Sequence, residues 1–182
     1  MTGPEHWPLF IGRFQPFHNG HLAMVGAILE ESNGVRFGIG SAQYKGTSDN
    51  PFSFDERRRM ILAVMAEEGI ENFRILGIRD FNNNELWVAH LRSLVPDLRI
   101  AYSNDPLTIR LLSEEGHDVR VMPLVERDSL SGTEVRRRIL DGRGWKELVP
   151  AAVREILVEI DAEARIRKSL ERGSDQSEDK KN

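Results

Sequence analysis

Gly12-Arg13-Phe14-Gln15-Pro16-Phe17-His18-Asn19-Gly20-His21 is the stretch on which the reading of the fold turns. Just before it, Trp7 to Ile11 is mostly apolar and reads as a short buried strand. Just after it, Leu22, Val25, Ile28 and Leu29 recur at helical spacing. The stretch is therefore a strand–turn–helix junction at the carboxyl end of a first strand, where open α/β sheets place their ligands. Pro16 predicts a rigid turn, and Gly12 and Gly20 let backbone come close to a guest. His18 and His21 fall at the start of the helix, where free N–H groups and the positive dipole end favour an anion. Arg13 adds a planar, permanently charged fork suited to phosphate. Together these groups predict a polyphosphate site. The competing reading of the two histidines, half of a zinc site, lacks a third ligand at recognisable spacing, and the chain has no cysteine.

Working outward, 182 residues predict one domain with a C-terminal extension, long enough for a substantial core. The chain is 40% hydrophobic and 30% charged, with a formal charge of −4, which argues against a general binder of nucleic acid or membrane surfaces. No apolar run approaches the roughly 20 residues that span a bilayer, and the N-terminus lacks the pattern of a secretory signal. The absence of cysteine excludes disulfides and thiol catalysis and suits a cytoplasmic location.

Apolar β-type runs alternate with helical patterns, so the fold class predicted is α/β: a Rossmann-like, doubly wound parallel sheet of about five strands with a C-terminal helical extension. Strands are expected at Val35–Ile39, Phe73–Ile78, Leu98–Tyr102 and Asp118–Val121 besides the first. The second runs into Gly38-Ile39-Gly40-Ser41-Ala42-Gln43, where Gln43 replaces the third glycine of a dinucleotide fingerprint. Ser41 and Gln43 offer hydrogen bonds there, or are plain loop polarity. Tyr44 to Pro51 reads as a loop, and Ser53-Phe54-Asp55-Glu56 as a capping box opening a second helix. Met60, Ile61, Val64 and Met65 give that helix its buried face, with Arg57, Arg58 and Arg59 placed largely in solvent, or Arg57, in the first turn, facing the loop.

The polar run Arg79 to Glu85 leads into a helix with Trp87 and His90 on one face. Trp87 is either a core residue or a flat platform for a ligand. Asp105 and Pro106 read as an N-cap and first helical position. Ser131-Gly132-Thr133-Glu134 reads as another capping box, but Arg136, Arg137 and Arg138 then crowd a helix start, against its dipole. An anion seated there would remove the conflict. Pro150 starts a helix expected to run to about residue 171, with Val153, Ile156, Leu157, Ile160 and Ala164 inward. One domain is thus expected over 1–171, and 172–182 as a disordered tail.

His18-Asn19-Gly20-His21 after a strand resembles the signature of the nucleotidyltransferase superfamily related to class I aminoacyl-tRNA synthetases. The longer Gly-Arg-Phe-Gln-Pro-Phe-His-x-Gly-His run is similar to the archaeal-type nicotinamide mononucleotide adenylyltransferases. Leu130-Ser131-Gly132-Thr133-Glu134-Val135-Arg136 resembles the second signature, Ile-Ser-x-Thr-x-x-Arg, with Leu130 in place of Ile. Ser41-Ala42-Gln43, Asn50-Pro51-Phe52 and the Asn84–Trp87 pair extend the likeness from Gly12 to about Ile160. The loop 44–49 departs from it: family loops often read Ser-His-Thr or carry additional basic residues.

The resemblance implies adenylyl transfer from ATP to nicotinamide mononucleotide, releasing pyrophosphate. It implies catalytic roles for His18, His21, Arg13 and Arg136, and ATP binding by Gly12, Phe14, Gly20, Ser131 and Thr133. Ser41, Gln43, Asp80, Asn84 and Trp87 become the acceptor set, with Asn84 and Trp87 embracing the nicotinamide. Mg²⁺ is expected to be bound mainly through substrate phosphates, with no protein ligand set for a metal. Archaeal-type members are commonly hexameric, which implies a homo-oligomer. The alternatives are a nucleotidyltransferase of the same superfamily acting on another phosphorylated acceptor, and a nucleotide-binding module without turnover.

Overall fold

The computed structural model describes residues 6–121 and 130–178. Five parallel strands form one sheet: β1 (Leu9–Gly12), β2 (Val35–Ile39), β3 (Phe73–Gly77), β4 (Ile100–Tyr102) and β5 (Asp118–Arg120), in the order β3-β2-β1-β4-β5. Seven α-helices are present among the described residues: α1 (Asn19–Glu31), α2 (Phe54–Glu67), α3 (Asn84–Leu94), α4 (Pro106–Glu114), α5 (Gly132–Asp141), α6 (Ala151–Glu159) and α7 (Ala162–Glu178). The chain adds β2 and β3 on one side of β1, then returns to add β4 and β5 on the other. The strand order therefore reverses beside β1, as the sequence pattern predicts for a doubly wound sheet.

The described chain clusters into two compact units. One comprises Met1–Arg13, Ala23–Ala42 and Gly69–Val125, and so holds the whole sheet with α3 and α4. Its central strands are apolar throughout because both faces are covered, as parallel sheets require: Leu9, Val35, Phe37 and Ile39 are all fully buried. Arg36 is the exception in β2. Its Nη1 meets both carboxylate oxygens of Asp97 at 3.0 Å, which keeps the charge paired where it is least hydrated.

The other unit comprises Phe14–Leu22, Gln43–Glu68 and Glu126–Asn182. Here α2 packs on α6 and α5 on α7. The predicted capping box of α2 is complete, with Ser53 Oγ accepting from the Glu56 N–H and the Glu56 carboxylate accepting from the Ser53 N–H at 2.8 Å. Met60, Ile61, Val64 and Met65 are buried as expected. Arg57 is not in solvent: its side chain is 0% exposed, with Nε donating to the Ser53 carbonyl at 3.2 Å. It lies three and four residues before Met60 and Ile61 and seven before Val64, so helical phase carries it inward with them.

The C-terminal helix expected over 150–171 is two helices. Asp161 adopts a left-handed conformation (φ 49°) that ends α6, while its Oδ1 accepts the Ala164 N–H at 3.3 Å and opens α7. A short polar side chain tolerates that conformation better than most. The break rotates the buried phase: Ala162 and Ile166 go inward, and Ala164, expected inside, is exposed. The tail expected to be disordered from residue 172 continues α7 as helical backbone to Glu178. Extending a helix already nucleated and packed demands far less than starting one.

Removing the capping hydroxyl should show how much the α2 start contributes. Ser53→Ala should lower unfolding free energy by about 1 kcal/mol, and Ser53→Asp should retain most of it. Urea titrations with an unchanged slope would measure both; a Ser53→Ala midpoint equal to the parent's would mean the cap is dispensable.

Candidate functional site

The first signature begins as the chain leaves β1. Gly12 still belongs to the strand, its carbonyl accepting the Gly40 N–H at 2.9 Å, and Arg13 is exposed. Phe14 takes a left-handed conformation (φ 51°), and its ring is 1% exposed, stacked with Phe17 and lying 4.7 Å from the His21 ring centroid. The Phe14 side chain thus packs against the His21 imidazole.

His18 stands just before α1. Its carbonyl accepts the N–H groups of His21 at 2.8 Å and Leu22 at 3.2 Å, while its own N–H donates to His21 Nδ1 at 3.1 Å. This is the geometry of half a capping box, with the imidazole three residues into the helix doing what Glu or Gln usually does. It leaves the Nε2 of a neutral His21 as the protonated nitrogen. The two imidazoles stack, centroids 3.6 Å apart. Gly20 makes room, since a Cβ there would lie 3.1 Å from the His18 ring.

Burial lowers the His18 pKa to about 4, and burial together with the neighbouring His18 lowers that of His21. Both rings are therefore neutral at neutral pH in the absence of an anion. His18 Nδ1 is buried with no hydrogen-bond partner. Such an atom is costly and marks a place a polar ligand can satisfy.

The same unit brings the second signature to the first. Ser131 caps α5, its Oγ accepting the Glu134 N–H at 3.1 Å. The reciprocal half of the expected box is not made, because the Glu134 carboxylate is taken by Arg137 and Arg138 at 2.7–2.8 Å. Those two guanidinium groups, Arg137 first, hold the Glu134 pKa down at about 2. Asp141 pairs with Arg137 as well. Two of the three crowded arginines are thus paired within the helix, which already eases the conflict with its dipole. Arg136 is different. Its Nη1 donates to the Gln15 carbonyl at 2.7 Å and its Nη2 lies 3.3 Å from Thr133 Oγ1. Gly132 permits this approach, since a Cβ would sit 2.9 Å from the Gln15 oxygen. Asn19 adds a further tie, Nδ2 to the Glu147 carbonyl at 2.8 Å. Gln43, in this unit, is exposed.

The remaining acceptor candidates belong to the sheet unit. Ser41 follows β2 in a left-handed conformation (φ 51°) and donates to Asp80 Oδ2 at 2.6 Å. Asn83 caps α3 through Oδ1 to the Leu86 N–H at 2.9 Å, leaving Asn84 exposed as the first helical residue. One turn on, Trp87 is half-buried and packs against the core cluster that includes Leu9, Ile78 and Leu91. It has a core role, and enough of its ring remains exposed for a second one. His90 Nε2 accepts the Arg79 N–H at 3.3 Å, and its ring packs on Phe81, which fixes the loop carrying Asp80. Sequence reasoning missed Gln15, Phe52 and Gly132. Gln15 lay inside the quoted signature, and Gly132 between two residues that were singled out.

The cytidylyltransferase-like family model matches residues 9–138. A nicotinamide-nucleotide adenylyltransferase of Thermoplasma volcanium is 44% identical over 163 residues, 90% of this chain and 92% of the relative. That of Picrophilus torridus is 45% identical over 157 residues, 86% of this chain and 93% of the relative. Among solved structures, a bifunctional NMN adenylyltransferase/ADP ribose pyrophosphatase from Francisella tularensis superposes with a TM-score of 0.77 at 23% identity, over 92% of this chain and 53% of that one. The same protein complexed with AMP and a manganese ion gives 0.72 at 22% identity, covering 92% and 52%. This chain thus spans about half the length of that bifunctional protein, and the likeness to it concerns the fold. The two signatures, the parallel sheet and the near-full-length relatives agree: the chain belongs to the archaeal-type nicotinamide-nucleotide adenylyltransferases, within the cytidylyltransferase-like family.

Proposed function

We propose that the protein transfers the adenylyl group of ATP to nicotinamide mononucleotide, forming NAD⁺ and pyrophosphate. The observation that carries the reading is the junction of the two signatures, Arg136 bonded to the Gln15 carbonyl in the loop that bears His18 and His21. An oxygen of the mononucleotide 5′-phosphate bonds to the α-phosphorus, and the bond from that phosphorus to the bridging oxygen breaks as pyrophosphate leaves. The attacking phosphate loses its second proton near pH ~6, so it is already ionised at neutral pH and no general base is required. What the site must supply is stabilisation of negative charge.

Ser131, Thr133 and Arg136 bind the triphosphate beside the α5 N-terminus, and the resemblance assigns Gly12, Arg13, Phe14 and Gly20 to the same nucleotide. His21, with Nδ1 occupied by the His18 N–H, offers Nε2–H to phosphate oxygen. His18 offers the second imidazole. A polyphosphate would raise both pKa values and draw a proton onto the pair. Asn84 and Trp87 take the nicotinamide, with Ser41, Asp80 and Gln43 completing the acceptor set. Among the described residues no group of three or more His, Asp or Glu could hold a metal ion. Mg²⁺, carried mainly by the nucleotide's own phosphates, would supply further charge neutralisation when bound. The resemblance further assigns the protein to the cytoplasm as a homo-oligomer.

The direct test offers the purified protein ATP with a panel of phosphorylated acceptors and follows pyrophosphate release. Nicotinamide mononucleotide should be the preferred acceptor; a different phosphorylated compound turned over faster would overturn the assignment. In the same assay His21→Ala should lower kcat by ~10² with little change in KM for ATP, as for a group acting mainly in the transition state. Near-parent turnover would remove His21 from the chemistry.

The neutral histidines also predict a pH dependence. Because His18 binds its proton about 2.5 units less readily folded than unfolded, the unfolded chain holds more protons between pH 6.5 and about 4. Stability should be full above 6.5 and fall through that window by up to ~3 kcal/mol from this group. Urea unfolding at pH 7 and 4.5 measures it. His18→Gln should flatten the difference, and tripolyphosphate, by raising the folded pKa toward 6.5, should narrow the window and shrink the loss.

Trp87→Phe keeps most of the packing and part of the platform. It should raise KM for nicotinamide mononucleotide several-fold, equivalent to ~1 kcal/mol, and leave KM for ATP unchanged. Equal losses for both substrates, tracking a drop in melting temperature, would make Trp87 a core residue only.

A further inference from the structure

Gln15 belongs to neither the triphosphate set nor the acceptor set, yet its bonds are unusually complete. The residue is 3% exposed. Its Nε2 donates to the Phe52 carbonyl at 2.9 Å, and its Oε1 accepts the Phe52 N–H at 3.0 Å. Asn50 Oδ1 lies 3.5 Å from the same Nε2. A primary amide is the uncharged side-chain group with one acceptor and one donor side by side, so it can pair with a peptide group as a neighbouring strand would. The paired segment is itself held, since Asn50 and Thr47 exchange backbone hydrogen bonds at 3.1 and 3.2 Å and Thr47 Oγ1 accepts the Asn50 N–H. One residue beyond Phe52 stands Ser53, the cap of α2. The side chain of Gln15 therefore fastens the first signature to the start of that helix.

The main chain of the same residue has another task. Its carbonyl receives Arg136 Nη1 at 2.7 Å, with Gly132 pressed against the same oxygen. A carbonyl has only the orientation its peptide plane gives it. Locking the Gln15 side chain on Phe52 limits how far that plane can turn.

We propose that Gln15 is a positioning residue for adenylyl transfer: its amide, paired with the Phe52 backbone, holds the carbonyl that orients the Arg136 guanidinium. The inference rests on the reading of Arg136 as a triphosphate ligand. Buried as it is, the Gln15 amide does not meet substrate, and its effect passes through Arg136. A misplacement of about 1 Å in such a group lowers rate by ~10²-fold. Glutamate at this position keeps the shape and the acceptor but, when ionised, faces the Phe52 carbonyl with a second acceptor and no donor.

A double-mutant cycle on the full-length protein tests this, with kcat/KM for ATP and melting temperature as readouts. Gln15→Glu should lower kcat/KM by ~10- to 100-fold in the parent and by less than ~3-fold when Arg136 is already alanine, because coupled residues are not additive. Gly132→Ala displaces the same carbonyl without touching the amide and should show the same masking, which keeps the test open if Gln15→Glu folds poorly. Penalties that multiply across the cycle, or a Gln15→Glu rate equal to the parent's, would overturn the proposal. The two failures are separable. If Arg136→Ala alone leaves kcat/KM unchanged, the triphosphate reading falls; if it is crippled while Gln15→Glu and Gly132→Ala are not, only the positioning role falls.

Discussion

The hydrogen bond from Arg136 to the Gln15 carbonyl joins segments 121 residues apart, and the smaller features around it follow from the demands it makes. A guanidinium that approaches a main-chain oxygen at 2.7 Å needs a helix start without a side chain in the way, and Gly132 provides it. It also needs neighbouring cations to be quiet, and Glu134 occupies Arg137 and Arg138 together. Finally it needs an acceptor that stays put, which the buried Gln15–Phe52 pairing supplies. None of these devices is large in energy. Their value is geometric, because a charge-assisted bond is strong only when both partners are held in line.

The histidine pair follows the opposite logic. Stacking the part-buried His21 ring on the buried His18 ring places groups with little water around them beside an unsatisfied Nδ1. In the absence of an anion they are neutral and store no Coulomb attraction. Local structure keeps them in register: the aromatic rings of Phe14 and Phe17 lie against His21, and the His18 N–H fixes its tautomer. A preorganised neutral donor in a dry site is stronger than the same donor in water, because no solvent must be reoriented when charge develops.

What was legible in the sequence was mostly local. Caps at Ser53, Asp105 and Ser131 are decided by one side chain and the next three N–H groups, and all three side chains cap as expected, although only Ser53 completes its box. The β/α alternation predicted the parallel sheet for the same reason, since each run carries its own period. Misreadings came where residue type and phase disagreed, or where one side chain had two roles. Arg57 shares the helical phase of Met60, Ile61 and Val64, and its charge outweighed that signal. Asp161 both ends α6 and caps α7, and a run of apolar residues at helical spacing concealed it. The Glu134 carboxylate had two uses on offer, a cap and an ion pair, and only the folded helix shows which prevails. Pairings such as Gln15 with Phe52 join residues far apart in sequence, and no local pattern announces them.

The capping geometry at the start of α1 bears on how this chain could drift. For helix stability alone, the third helical position is served at least as well by Glu or Gln, which are longer, more flexible and better helix formers than His. A carboxylate there would also answer the dipole, but it would repel any polyphosphate. Glu or Gln at residue 21 would keep the cap but would set a polar group against the Phe14 and Phe17 rings that now pack on the imidazole. The imidazole found there thus serves two masters, closing the helix start through Nδ1 and filling the space between Phe14, Phe17 and His18 with its ring.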